Sequence, residues 1–153
     1  ADGNHDGFIN ARVETADEKP SFETAWEQNR CLVPASGFYE WSGESGGKTP
    51  YYFQTDEDLF SFAGLWTTTS KGKITYTVLT RPANKDVKDV HERMPIILNE
   101  EEEGSWLINQ LSKQRLLSDR PGLTAHPVSK AVNSPDNDGR FLTEKNTGLR
   151  EYS

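Results

Sequence analysis

"RCLVPASGFYEWSG", residues 30–43, holds two apolar runs on either side of "PASG", and how it is read decides the fold. "CLVP" and "FYEW" carry the β-branched and aromatic residues that suit a pleated, half-buried surface, and the Pro, Ser and Gly between them are turn formers. Two strands joined by a turn are expected. The same grammar continues through "TPYYFQT", "LFSFAGLW", "ITYTVLT" and "MPIIL", punctuated by "GESGG", "TDED" and "SKGK". Cys31 to Leu98 therefore reads as a meander or small barrel.

Inside the opening stretch, strand alternation puts Phe38 and Glu40 on one face and Tyr39 and Trp41 on the other. A bare carboxylate among aromatic rings costs several kcal/mol unless it is paired or protonated. Burial raises a carboxyl's pKa toward neutrality, which suits a general acid. The alternative is an edge-strand glutamate that faces water or an arginine.

The flanks read differently. In "KPSFETAWEQNR", Phe22, Ala25 and Trp26 fall at helical spacing behind Pro20, with Ser21 expected as the N-cap. "NEEEEGSWLINQLSKQRLL" reads as one helix, with Asn99 as cap, four acids in the first turn, and Lys113 and Arg115 late, where the helix dipole favours them. "LTAHPVSKAVN" reads as a last strand. Residues 1–133 are expected to form one domain, the default for a chain of this length, and 134–153 a polar tail.

Composition narrows the function. Four Trp, five Tyr and seven Phe supply a core despite a hydrophobic content of 33%. No run approaches the roughly 20 apolar residues of a membrane span, and the start lacks a secretory pattern, so a soluble protein is expected. The single cysteine, Cys31, excludes a disulfide framework and any multi-cysteine zinc cluster. A net charge of −7 argues weakly against nucleic acid. Yet four acids are concentrated in Glu100–Glu103, while cations are spread through the first two thirds, which leaves room for a local basic groove.

Three further features carry chemistry. In "VHERMP", His91 stands at an element end with Arg93 two residues on: an imidazole suited to proton transfer and a guanidinium suited to phosphate or carboxylate, though a capped surface histidine is the plainer reading. In "INARVET", Asn10 and Arg12 share one face of an extended segment whose other face carries Ile9, Ala11 and Val13; such a pair orients substrate or is simply surface. Cys31 lies among apolar neighbours without an adjacent histidine and reads as an inert thiol. His5 and His126 read as structural.

Taken in order, "INARVET", "RCLVPASGFYEW", "KTPYYF", "FAGLW", "TVLTRPAN" and "HERMPIIL" resemble the SOS-response-associated peptidase (SRAP) family, strongly from Ile9 to Leu98 and more loosely to about residue 133. The resemblance implies an α+β fold, a mixed, small barrel-like and largely antiparallel sheet flanked by helices. It also implies a protein that senses abasic sites in single-stranded DNA and links to them covalently. The nucleophile would be a cysteine at the mature N-terminus, exposed by autoproteolytic removal of a leader, whose amine and thiol close a thiazolidine on the opened sugar.

By that resemblance Asn10 positions the cysteine, Glu40 donates and accepts protons, and His91 assists Schiff-base chemistry, while Arg12, Thr80 and Arg93 hold DNA phosphates. No cofactor and no metal are implied, and the chain is expected to act as a cytoplasmic monomer, on the nucleoid when bound. Residue 1 is Ala and the family's Cys-Gly-Arg start is absent, so that segment is expected upstream. Two other readings stand beside this one. The chain could be a non-covalent single-strand DNA module, or a hydrolase pairing Glu40 with Glu14, or His91 with Cys31.

Overall fold

The computed structural model describes residues 9–43, 47–118 and 122–133. His5, most of the "GESGG" turn and the tail at 134–153 lie outside the described residues. The strands are β1 (Ile9–Arg12), β2 (Arg30–Ala35), β3 (Phe38–Ser42), β4 (Thr49–Gln54), β5 (Phe60–Thr68), β6 (Ile74–Pro82), β7 (Arg93–Pro95), β8 (Ile97–Leu98) and β9 (Thr124–Pro127). The helices are α1 (Glu23–Gln28), α2 (Glu100–Leu107) and α3 (Lys113–Leu116), with a 3-10 turn at Lys130–Asn133.

Two sheets result. The larger runs β1-β6-β5-β2, with β7 on β6 and β8 on β5, and the smaller runs β3-β4-β9. Among the described residues only β1 and β6 pair in parallel; the other pairings are antiparallel. The architecture is the expected mixed, largely antiparallel one, a curled half-barrel with a second sheet against it.

Alternation along β5 explains the layers. Ala63 and Leu65 face a core shared with Ala11, Val13, Leu79, Ile96, Trp106 and Leu116, under the helices. Phe60 and Phe62 face the opposite way, into a second core with Phe38, Phe53, Val78, Val87 and Met94, between the sheets. Phe38 stacks on Phe53 at 5.1 Å and meets Phe62 edge-on at 6.0 Å. The aromatic-rich core is therefore the seam where the two sheets meet.

"MPIIL", expected as one strand, is a wedge instead. β5 and β6 pair from Gly64 to Thr68 and then diverge; residues 93–98 enter the fork. Ile96 N–H donates to Leu79 O at 2.9 Å on one side, and Ile96 O accepts from Ala63 N–H at 3.0 Å on the other. Pro95 has no N–H to offer, and the side-chain alternation changes phase across it: Met94 enters the inter-sheet core and Ile96 the helix-side core.

Two helix expectations change. Ser21 is not the cap of α1: the N-cap is Phe22, without a side-chain hydrogen bond, because the turns before it already satisfy the first donors, Phe22 and Glu23 N–H both reaching Lys19 O at 2.9 Å. The helix expected from Asn99 onward breaks into α2 and α3 at Asn109, whose φ is +57°. Lys113 and Arg115 thus belong to a separate short helix. Asn99 does cap α2, its side chain accepting from Glu102 N–H while the Glu102 carboxylate accepts from Asn99 N–H.

Arg30 clamps the helices to β2. Its buried guanidinium lies 4.0 Å from the Trp106 ring centroid and 4.7 Å from that of Trp26, and Nε donates to Trp26 O at 2.7 Å. Burial pushes its pKa down to about 10. Trp106 Nε1 in turn donates to Cys31 O at 3.0 Å. Among the described residues no helix is long and apolar enough to cross a membrane.

Candidate active site

Register places the candidate residues on one side of the larger sheet. Asn10 pairs with Val78 and Arg12 with Thr80 in the parallel β1–β6 ladder, so each couple shares a face. Val78 packs with Phe38 in the inter-sheet core. Phe38 and Glu40 share a face of β3, as alternation requires. Asn10, Arg12, Thr80 and Glu40 therefore all belong to the seam side, while Ala11 and Val13 are buried beneath the helices.

At the seam, Glu40 meets His91. The Glu40 carboxylate oxygen lies 3.6 Å from His91 Nδ1, and the two side chains are 21% and 39% exposed. Burial raises the Glu40 pKa above 4.5, and the neighbouring imidazole only partly offsets it. This is an acid that keeps its proton to higher pH than an exposed glutamate does. His91 stands just before β7, and its ring is fixed by the chain that follows, with Nδ1 3.1 Å from Arg93 N–H and 3.0 Å from Arg93 O. A neutral ring with its proton on Nε2 accepts from that N–H; a ring protonated at Nδ1 donates to the carbonyl.

The wedge then delivers Arg93 to the end of β6. Its Nη2 donates to Thr80 Oγ1 at 3.1 Å, which joins two of the three expected phosphate contacts. The guanidinium is already occupied, however: Nη1 and Nη2 donate to the two Glu14 carboxylate oxygens at 2.6 and 2.9 Å. The Arg93 hydrogen bonds hold Glu14 below its ordinary pKa, and Arg12 adds a smaller charge effect. Arg93 Nε is buried and finds no partner among the described residues.

The structure thus joins Glu40 to His91, and Arg93 to Thr80, with His91 and Arg93 linked through backbone. Asn10 and Arg12 sit exposed on the adjacent strand. Sequence reasoning named Glu14 only as a second carboxylate and missed it as the partner of Arg93. Its position two residues beyond Arg12 was the available signal, but the chain turns after Arg12, so strand alternation does not reach it. Arg93 holds Glu14 ionised, so in a Glu40–Glu14 pair it would be the base or nucleophile and Glu40 the acid. Cys31 is half-buried on β2, beside Gly64 and in register through Val78 with Asn10. Burial pushes its thiol pKa up, the reverse of nucleophile activation.

Comparison with known proteins gives a consistent picture. A family model described as SOS response associated peptidase (SRAP) matches residues 2–135. Abasic site processing protein YoqW of Bacillus subtilis (strain 168) is 39% identical over 149 residues, 90% of this chain and 66% of that protein. Abasic site processing protein HMCES of Gallus gallus is 33% identical over 159 residues, 84% of this chain and 47% of that protein. A solved structure from Bacteroides thetaiotaomicron matches with a TM-score of 0.76 at 32% identity, covering 90% of this chain and 65% of that one. The chain spans just under two thirds of the length of YoqW.

Proposed function

The chain belongs to the SOS response associated peptidase (SRAP) family, and from that premise we propose that it is the seam-bearing part of a protein that crosslinks itself to abasic sites in single-stranded DNA. The observation that carries the reading is a proton-retaining carboxyl, Glu40, in contact with an imidazole, His91, across the seam from the strand that carries Asn10. Proteins named for abasic site processing are among its relatives.

The reaction joins an aldehyde to a 1,2-aminothiol. Glu40 gives a proton to the ring oxygen of the abasic sugar as it opens, and the α-amine of an N-terminal cysteine adds to the aldehyde. The hydroxyl of that adduct leaves as water once protonated, giving an imine, and the thiol adds across C=N so that sulfur bonds carbon and its proton passes to nitrogen. Glu40 and His91, 3.6 Å apart, carry these protons. Asn10 orients the cysteine. Arg12, Thr80 and Arg93 hold the flanking phosphates, and base identity matters little because no base stands at the lesion. Release of a leader by autoproteolysis exposes the cysteine. The protein works as a monomer on single strands and uses no cofactor.

The test mixes the whole protein with a single-stranded oligonucleotide carrying one abasic site and resolves adducts under denaturing conditions. Glu40→Gln is expected to slow adduct formation at least about a hundredfold, the usual scale for losing an acid–base group. Adduct at an unchanged rate in that variant removes Glu40 from the chemistry. Tight binding without any stable adduct in the unaltered protein makes it a non-covalent module instead.

A further inference from the structure

Glu14 occupies the guanidinium that the reading above assigns to DNA. Its carboxylate faces the Arg93 fork with both oxygens, at 2.6 and 2.9 Å, the bidentate geometry that two oxygens of a phosphate diester also adopt. Arg93 is only 15% exposed and anchored by Thr80, so the fork cannot swing out to find a second anion while Glu14 holds it. Glu14 is 36% exposed, and it sits in the turn that follows β1, two residues beyond Arg12. The carboxylate is therefore the part of the pair free to move.

We infer that Glu14 is a built-in stand-in for a DNA phosphate, displaced from Arg93 when a strand enters. This deepens the reading of Arg93 as a phosphate contact and rests on it. Glu14 acts as a positioning and specificity-determining residue. It keeps the Arg93 fork flat and aimed while the site is empty, and it sets a threshold that a single free anion does not pass. A strand passes it because Arg12, exposed two residues from Glu14, takes a second phosphate of the same backbone. Two linked contacts then compensate for the one ion pair that is given up. The ligand class selected is a polyanionic backbone rather than a lone phosphate or carboxylate.

The experiment measures binding of an unmodified single-stranded oligonucleotide, which has no aldehyde, to the whole protein by fluorescence anisotropy across a salt series. Glu14→Gln keeps shape and removes the competing charge. It is expected to tighten binding about twofold to fivefold at low salt, the scale of one partly exposed ion pair. The slope of log affinity against log salt should change by less than about 0.7, one phosphate's worth, because Arg93 meets the same phosphate once Glu14 has moved aside. In the Arg93→Gln background the same change should do nothing.

Unchanged or weaker binding in Glu14→Gln overturns the inference, as does equal tightening with and without Arg93, which marks a general charge effect. If Arg93→Gln alone leaves binding unaltered, the assignment of Arg93 to DNA is what fails. Should Glu14→Gln not fold, Glu14→Asp retains the charge while shortening its reach, and a smaller tightening is expected; none overturns the inference.

Discussion

Two carboxylates, Glu40 and Glu14, illustrate how environment assigns roles to one residue type. Glu40 is largely buried, and the imidazole beside it only partly offsets that, so its pKa rises; Glu14 is clasped by a guanidinium, so its pKa falls. The signs have opposite consequences for stability. A group whose folded pKa is raised contributes stability below its unfolded value that is lost as pH rises through the folded value. Glu40→Gln is thus expected to melt at a higher temperature than the unaltered protein at about pH 7, with the gap closing below the ordinary glutamate value of 4.5. Thermal melts at the two pH values check it. The Glu40 setting was legible because alternation over 38–41 involves only neighbours. The Glu14–Arg93 pair was not, because it joins residues 79 apart in the chain and depends on the parallel β1–β6 register.

Among the elements, the wedge at 93–98 has the largest effect on the site. It is hydrogen-bonded to β6 on one side and β5 on the other, and Ile96 is fully buried between them. Ile96→Ala is expected to cost about 2–5 kcal/mol, the range for removing a large aliphatic side chain from a rigid core. Chemical denaturation should show this as a lower midpoint, with weaker DNA binding where the shift loosens Arg93. Sequence patterning identified this run as strand but not its splitting, because a run of Met, Pro, Ile, Ile and Leu looks the same whether it pairs with one neighbour or two. The cap at Asn99 was readable from its spacing to Glu102. The break at Asn109 was not, since a left-handed asparagine leaves no periodic trace.

For the molecule as a whole, the two sheets must hold their distance if Glu40 on one is to serve Asn10 and Thr80 on the other. Part of that spacing is set at Gly37, where β2 leaves the larger sheet for β3 in the smaller. A Cβ there would fall 2.2 Å from the Tyr52 hydroxyl oxygen. Tyr52 cannot easily yield, since its ring packs on Tyr39 at 5.2 Å and meets His126 at 5.9 Å. Gly37→Ala is expected to destabilise by about 1–3 kcal/mol, as overpacking does, and to slow crosslinking more than it weakens binding of unmodified strand. The net charge of −7 adds a further condition. On the proposed function a polyanion would not be drawn in by that field, and its capture would depend on the cations at the seam.

The wedge also decides where this fold tolerates changes of length. Residues 93–98 are indexed against a strand on each side, like a tooth between two racks, so an insertion there must shift one ladder or the other and would turn buried side chains toward water. The stretch between β6 and His91 is bound by no such double register. It is held instead by turn hydrogen bonds and by Val87, buried in the inter-sheet core, so an extra residue there strains one turn around a single anchor and leaves both ladders in register.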